Sequence, residues 1–168
     1  MEGRATMSGR LVRLRPREEG DMKFRRNWDD NREEEFRFRF DHEERSPAEY
    51  HLTIVNPAGD YIGEIRAKRT AATWVAAEVS LALVGEGHLE SGRAREALEL
   101  FLVHIRDEFG VAAVRAGISR GNRAAADCFR DMGFELEAVE PDTLRYELDL
   151  DRLRVAPDAR LDTVDSGS

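Results

Sequence analysis

The stretch from Leu81 to Phe134 constrains this chain more than any other. Ala94, Ala97, Leu98, Phe101, Leu102, Ile105 and Phe109 recur at helical spacing. They predict an amphipathic helix over Gly92 to Phe109, closed by Gly110 as its C-cap. The run Leu81-Ala-Leu-Val84 reads as a strand before this helix, and Val114-Arg-Ala-Gly-Ile118 as a strand after it. A second helix opens at Asn122 and ends at Met132-Gly-Phe134. A glycine at a strand-to-helix turn exposes backbone N–H groups, and the helix dipole behind them favours negative charge. The turn at Gly92 therefore suits a phosphorylated ligand.

The remaining segments extend this into an α/β (α+β) domain. Arg10 to Arg15 alternates apolar and basic residues as a half-buried strand does, and Pro16 stops it. Glu18 to about Glu35 is charged with a thin stripe of Met22, Phe24 and Trp28, which predicts a helix; Phe36-Arg-Phe-Arg-Phe40 fits a strand or the aromatic edge of a short helix. Tyr50 to Val55 and Tyr61 to Arg66 make a hairpin around the turn residues Asn56-Pro-Ala-Gly-Asp60, and Thr73 to Val84 is a third long strand. Glu135 to Val139 and Leu144 to Leu150 form a last pair of strands. The expected organisation is a flexible leader over 1–9, one domain over 10–154 and a disordered tail over 155–168.

Charge and cysteine content narrow the partners. A net charge of -8 argues against nucleic acid and is compatible with a cationic acceptor. Cys128 is the sole cysteine, so no intramolecular disulfide forms, which fits a reducing cytosol. No apolar run reaches membrane-spanning length, and the first residues lack a signal-peptide core, so the expected location is cytoplasmic with no membrane partner. His42, His51, His88 and His104 show no metal-ligand spacing, so no metal is expected.

Two nucleotide-binding motifs fail on spacing. A dinucleotide fingerprint that starts with Gly85 and Gly87 needs a third glycine where Glu90 stands, and no Gly-Lys pair followed by Ser or Thr exists for a P-loop. What matches is the pattern [QR]-x-x-G-x-[GA] opening a long helix, an Asn near the next helix start, and Gly-Phe after that helix. Tyr61-Ile-Gly-Glu64, Glu78 to Glu86 and Gly92-Arg-Ala-Arg-Glu-Ala-Leu98 resemble the GNAT superfamily of N-acetyltransferases, in the branch that acetylates ribosomal-protein N-termini and related amines. The resemblance covers roughly Arg10 to Leu150.

The resemblance implies a GNAT fold, a mixed sheet of six to seven strands with a splayed strand pair flanked by helices. It implies acetyl-CoA as acyl donor, with a pyrophosphate cradle over Ser91, Gly92, Arg93, Ala94 and Arg95. Leu89 stands at the first signature position in place of Gln or Arg, a departure that leaves main-chain donors intact. Leu81, Ala82, Leu83 and Val84 on one strand, and Ala116 to Ser119 on the other, would border the gap that holds the pantetheine arm. Asn122 would bind that arm, and it also has the chemistry of a helix N-cap. Glu78 would be the general base and the Leu83 N–H would polarise the thioester carbonyl. Phe129 occupies the place where many relatives carry a tyrosine acid. Loss of a positioned acid costs ~10²–10⁴ in rate; water or Tyr146 would then supply the proton. Trp28, Phe36 and Phe38, among the acids of Glu18 to Pro47, would line the acceptor wall; the plainer reading of the same residues is core aromatics beneath a solvated face.

The expected function is transfer of acetyl to a primary amine by direct attack. The acceptor is a protein or peptide N-terminus or a small cationic amine, and a homodimer is one assembly the resemblance allows. An α-amine, with a pKa of ~7.7–8.0 against ~10.4 for lysine, suits a site with little acid–base equipment. The alternatives are a non-catalytic acyl-CoA-binding or regulatory module on the same fold, kept open by Phe129 and Leu89, and an interaction domain of that shape without a ligand.

Overall fold

Apolar residues at every second position build the centre of the sheet. In the computed structural model, which describes residues 6–21, 48–84, 87, 91–155 and 162–164, β1 (Thr6–Ser8), β2 (Arg13–Pro16), β3 (Glu49–Val55), β4 (Tyr61–Arg69) and β5 (Ala76–Leu83) precede helix α1 (Arg93–Phe109). Then come β6 (Ala113–Ser119), α2 (Arg123–Met132), β7 (Glu135–Val139), β8 (Thr143–Asp149) and β9 (Asp162–Val164). The strands form one nine-stranded sheet in the order β7-β8-β6-β5-β4-β3-β2-β1-β9. Every adjacent pair with a described register is antiparallel except β5 with β6. The sheet exceeds the expected six to seven strands because Thr6–Ser8 and Asp162–Val164, assigned above to leader and tail, pair with each other along the β1 edge.

Tyr50, Leu52 and Ile54 of β3, Ile65 and Ala67 of β4, and Val79, Leu81 and Leu83 of β5 point to one face, where they meet Ala97, Leu98, Phe101 and Ile105 of α1. Ala125, Phe129 and Met132 of α2 join the same core with Tyr146 and Leu148 of β8. Burying a side chain of this size is worth about 1.5–3 kcal/mol, so α1 is held by its apolar face.

Both ends of α1 behave as its glycines predict. Gly92 has φ 83° at the N-cap, and Gly110 has φ 73° at the C-cap with its N–H bonded to Arg106 O. The β5 strand begins at Ala76, three residues later than the apolar run at Thr73 suggests, because the chain bends through Thr70 to Val75. Two acids buried on α1 are satisfied. Glu96 Oε1 accepts the amides of Leu11 at 2.7 Å and Val12 at 3.0 Å, which ties the helix to the β1–β2 turn. Glu99 accepts from Arg95 Nε at 2.7 Å.

Candidate active site

A parallel strand pair that parts company makes the site. β5 and β6 pair only at Ala76 with Ala113, Ala77 with Val114 and Glu78 with Arg115. Among the described residues, β5 continues to Leu83 and β6 to Ser119 without a strand partner on that side. The direction of the unpaired groups follows from the neighbouring ladders. Thr70 N–H bonds to Ala76 O and Val84 N–H to Ile62 O, so even-numbered β5 residues turn their backbone to β4. Ala112 N–H bonds to Val75 O, so odd-numbered ones turn to β6. Val79, Leu81 and Leu83 therefore direct their amides and carbonyls into the gap. The same parity on β6, where Arg120 N–H bonds to Asp142 O and Leu150 N–H to Ala112 O, leaves Gly117 and Ser119 facing it from the other side.

This divides the expected edges. Leu81, Leu83 and Ser119 border the gap with their backbone. Ala82 and Val84 do not, because their backbone belongs to the β4 ladder, and Ala116 is turned to β8 in the same way.

The anion turn lies beyond the end of β5. Glu96 N–H to Gly92 O at 3.0 Å is the first helical bond of α1, so the amides of Arg93, Ala94 and Arg95 precede it. Ser91, exposed, bonds its N–H to Gly87 O at 3.0 Å and completes the turn. A Cβ on Gly92 would meet nothing nearer than Leu11 Cδ1 at 3.5 Å; the positive φ is what requires glycine there. Arg95 departs from its expected role at the phosphates: its guanidinium bonds Glu99, Asp131 and Arg154 O, and so joins α1 to α2. Asn122 caps α2, its Oδ1 accepting Ala125 N–H at 3.1 Å. Leu89, Trp28, Phe36 and Phe38 fall outside the described residues.

Two expected site residues belong to the core instead. Phe129 is fully buried, stacked on Phe134 at 4.6 Å and edge-on to Tyr146 at 5.5 Å. Tyr146 is buried on β8 opposite Ala116, one strand away from the gap. Their helical and strand positions turn both rings into the apolar layer under the sheet.

Glu78 and Leu83 are not brought together. They lie on one strand five residues apart, a separation of ~16 Å, so a base at Glu78 stands far from an amine attacking a carbonyl held at Leu83. Glu78 is exposed at the last paired position before the gap, beside Lys68 and Arg115.

A group of polar side chains that sequence reasoning passed over lies on the sheet face opposite α1. Glu64 of β4 sits directly across from Ala82 of β5, with a side chain 0% exposed. Its Oε2 accepts the Tyr61 hydroxyl at 2.5 Å, and its Oε1 lies 2.5 Å from His51 Nε2 and 3.7 Å from Arg17 Nε. Nearby, Asp21 takes two bonds from the Arg15 guanidinium, one from Thr53 Oγ1 at 2.7 Å and one from Glu18 N–H at 2.9 Å. Burial works against the charge of Asp21, but these donors together hold its carboxyl below the usual carboxylate range. Among the described residues no group of His, Cys, Asp or Glu has the arrangement of a metal site.

A splayed parallel pair with an anion-ready helix start at its open end defines an acyltransferase fold. Residues 8–135 match the acetyltransferase (GNAT) domain model, and the chain belongs to that family of N-acetyltransferases. Spermidine N-acetyltransferase from Vibrio cholerae, solved with CoA and spermine, is similar at 19% identity, over 84% of this chain and 97% of that one, with a TM-score of 0.71. The spermidine/spermine enzyme of the same organism with manganese ions gives 18% identity, 84% and 94% coverage and a TM-score of 0.68. A protein of Sphaerobacter thermophilus assigned to the acetyltransferases gives 20%, 86% and 97%, and 0.66. No curated protein sequence matches the chain. The ribosomal-protein branch expected from sequence is not supported, since the structures found similar are spermidine enzymes and a less specific acetyltransferase.

Proposed function

We propose that the protein moves acetyl from acetyl-CoA to a primary amine of a small cationic acceptor by direct attack of the amine on the thioester. The observation that carries this reading is the gap between β5 and β6, where pairing stops at Glu78 and Arg115 while both strands run on. The amides of Leu81 and Leu83 would supply donors along one edge of an extended ligand, with Leu83 N–H the one that would polarise a carbonyl. The turn at Gly92 fits a pyrophosphate, because three helix-start amides and the dipole converge there. When bound, acetyl-CoA supplies an acyl group already activated as a thioester.

A cationic acceptor is favoured by the net charge of -8 and by the likeness to enzymes named for spermidine. The alternative acceptor is the α-amine of a peptide. Release of free thiol from acetyl-CoA, followed with spermidine, spermine, an N-terminal peptide and a lysine peptide with a blocked N-terminus, separates them. Turnover highest with the polyamines supports the reading. Turnover confined to the N-terminal peptide would transfer the acceptor to the α-amine class, and no thiol release with any amine would overturn acyl transfer.

A further inference from the structure

Tyr61 and Glu64 are three residues apart, which on a regular strand puts them on opposite faces. Ile62 changes that. Val55 faces Tyr61 and Ile54 faces Gly63, so Ile62 is an extra residue in β4 and brings the phenol round to the face of Glu64. The Tyr61 ring there joins Ala82 and Val84 in a small apolar cluster. Those two residues flank Leu83, whose amide enters the gap. Behind the phenol stand Glu64, wholly buried, and His51, whose side chain is 14% exposed. The phenol hydrogen-bonds to Glu64, and His51 Nε2 lies 2.5 Å from the other carboxylate oxygen, so the three groups run in a line on the β4 side of Leu83.

We propose that Tyr61, Glu64 and His51 are a proton relay for the acceptor amine, Tyr61 touching the nitrogen and the other two positioning it. This rests on the reading of the gap as the site of acyl transfer. As the C–N bond forms, the C–S bond breaks and its electron pair goes to sulfur. The proton leaves nitrogen for Tyr61 Oη, and the phenolic proton passes to Glu64 Oε2, the oxygen to which it already donates. His51 takes the proton from Glu64 to water, and the thiolate is protonated by solvent. Glu64 is wholly buried and already accepts the phenol, with Arg17 Nε and His51 Nε2 on its other oxygen. Leu83 also lies beside this line rather than beside Glu78. The relay explains how Phe129 leaves the reaction intact: a good thiolate leaving group needs no phenol at position 129, whereas the amine still needs a base.

The test uses the full chain with acetyl-CoA and spermidine between pH 6 and 9.5. Tyr61→Phe and Glu64→Gln are each expected to lower kcat by ~10²–10⁴ at pH 7, to leave KM for acetyl-CoA and the CoA-induced rise in Tm unchanged, and to regain rate as pH rises and the amine loses its proton unaided. A normal kcat and pH profile for Tyr61→Phe, which removes only one hydroxyl, overturns the relay even if Glu64→Gln fails to fold. That result with an active native chain leaves acyl transfer standing. A native chain that binds CoA and releases no thiol removes both.

Discussion

Gly63 and Leu83 face each other across β4 and β5, and a Cβ on Gly63 would lie 2.1 Å from Ala82 O and 3.0 Å from Leu83 Cα. The strand whose amides border the gap is thus pressed against a residue without a side chain. Gly63→Ala must push Ala82 and Leu83 aside. Overpacking of this kind costs about 1–3 kcal/mol, and here it also moves the Leu83 amide proposed above as the carbonyl's donor. Thermal unfolding is expected to show the loss of stability. Titration with CoA is expected to show weakened affinity, and native affinity in a destabilised Gly63→Ala chain would separate the gap from the strand contact.

Phe129→Tyr does not restore an acid. The ring is fully buried between Phe134 and Tyr146, so an added hydroxyl enters the core. Burying it without a partner costs about 1–3 kcal/mol. A lower Tm with no gain in kcat is expected, and a higher kcat would return position 129 to the chemistry.

His104 makes stability depend on pH between neutrality and mild acid. Burial pushes its imidazole below the ordinary 6.5, against the opposing pull of Glu108 and Asp107. Tyr50 Oη lies 2.9 Å from its Nε2, and the rings of Tyr50 and Phe109 pack on it. The unfolded chain therefore takes up a proton at higher pH than the folded one. This contribution is complete above the unfolded value and is lost as pH falls through it toward the folded value. His104→Gln is expected to flatten the dependence of Tm on pH between 7 and 5; an unchanged slope would assign it elsewhere.

Asp21 acts in a different window. Its folded pKa lies below the ordinary 3.8, so its contribution is present above that value and is lost as pH falls through the folded one. Asp21→Asn breaks the paired bonds from Arg15, each hydrogen bond to a charge being worth about 1.5–3 kcal/mol. Denaturant unfolding at pH 7 should reveal the loss, and the difference from the native chain should shrink below pH 4. A constant difference down to pH 2 would contradict the assignment.

What was legible in the sequence is what local periodicity encodes. Helix α1 and its two glycine caps, the hairpin turn over Asn56 to Asp60, and the cap at Asn122 all follow from spacing within one element. The gap is different, because its lining is set by which parity of β5 pairs with β4. That parity placed Leu81 and Leu83 at the edge and took Ala82 and Val84 away. Arg95 was claimed by Asp131 and Arg154 on other elements, which no motif around Gly92 displays. Tyr61 and Glu64 could not be seen as neighbours, since strict alternation separates them and only the extra residue Ile62 reunites them.

The central claim is that the turn at Gly92 and the gap beside Leu83 hold acetyl-CoA. Thermal unfolding of the full chain with acetyl-CoA, with CoA and with a dephosphorylated control tests it most directly. The account predicts a rise with acetyl-CoA and with CoA, equivalent to about 2.7 kcal/mol at one hundred times the dissociation constant, and a smaller rise with the control. An unchanged Tm at millimolar acetyl-CoA would contradict it.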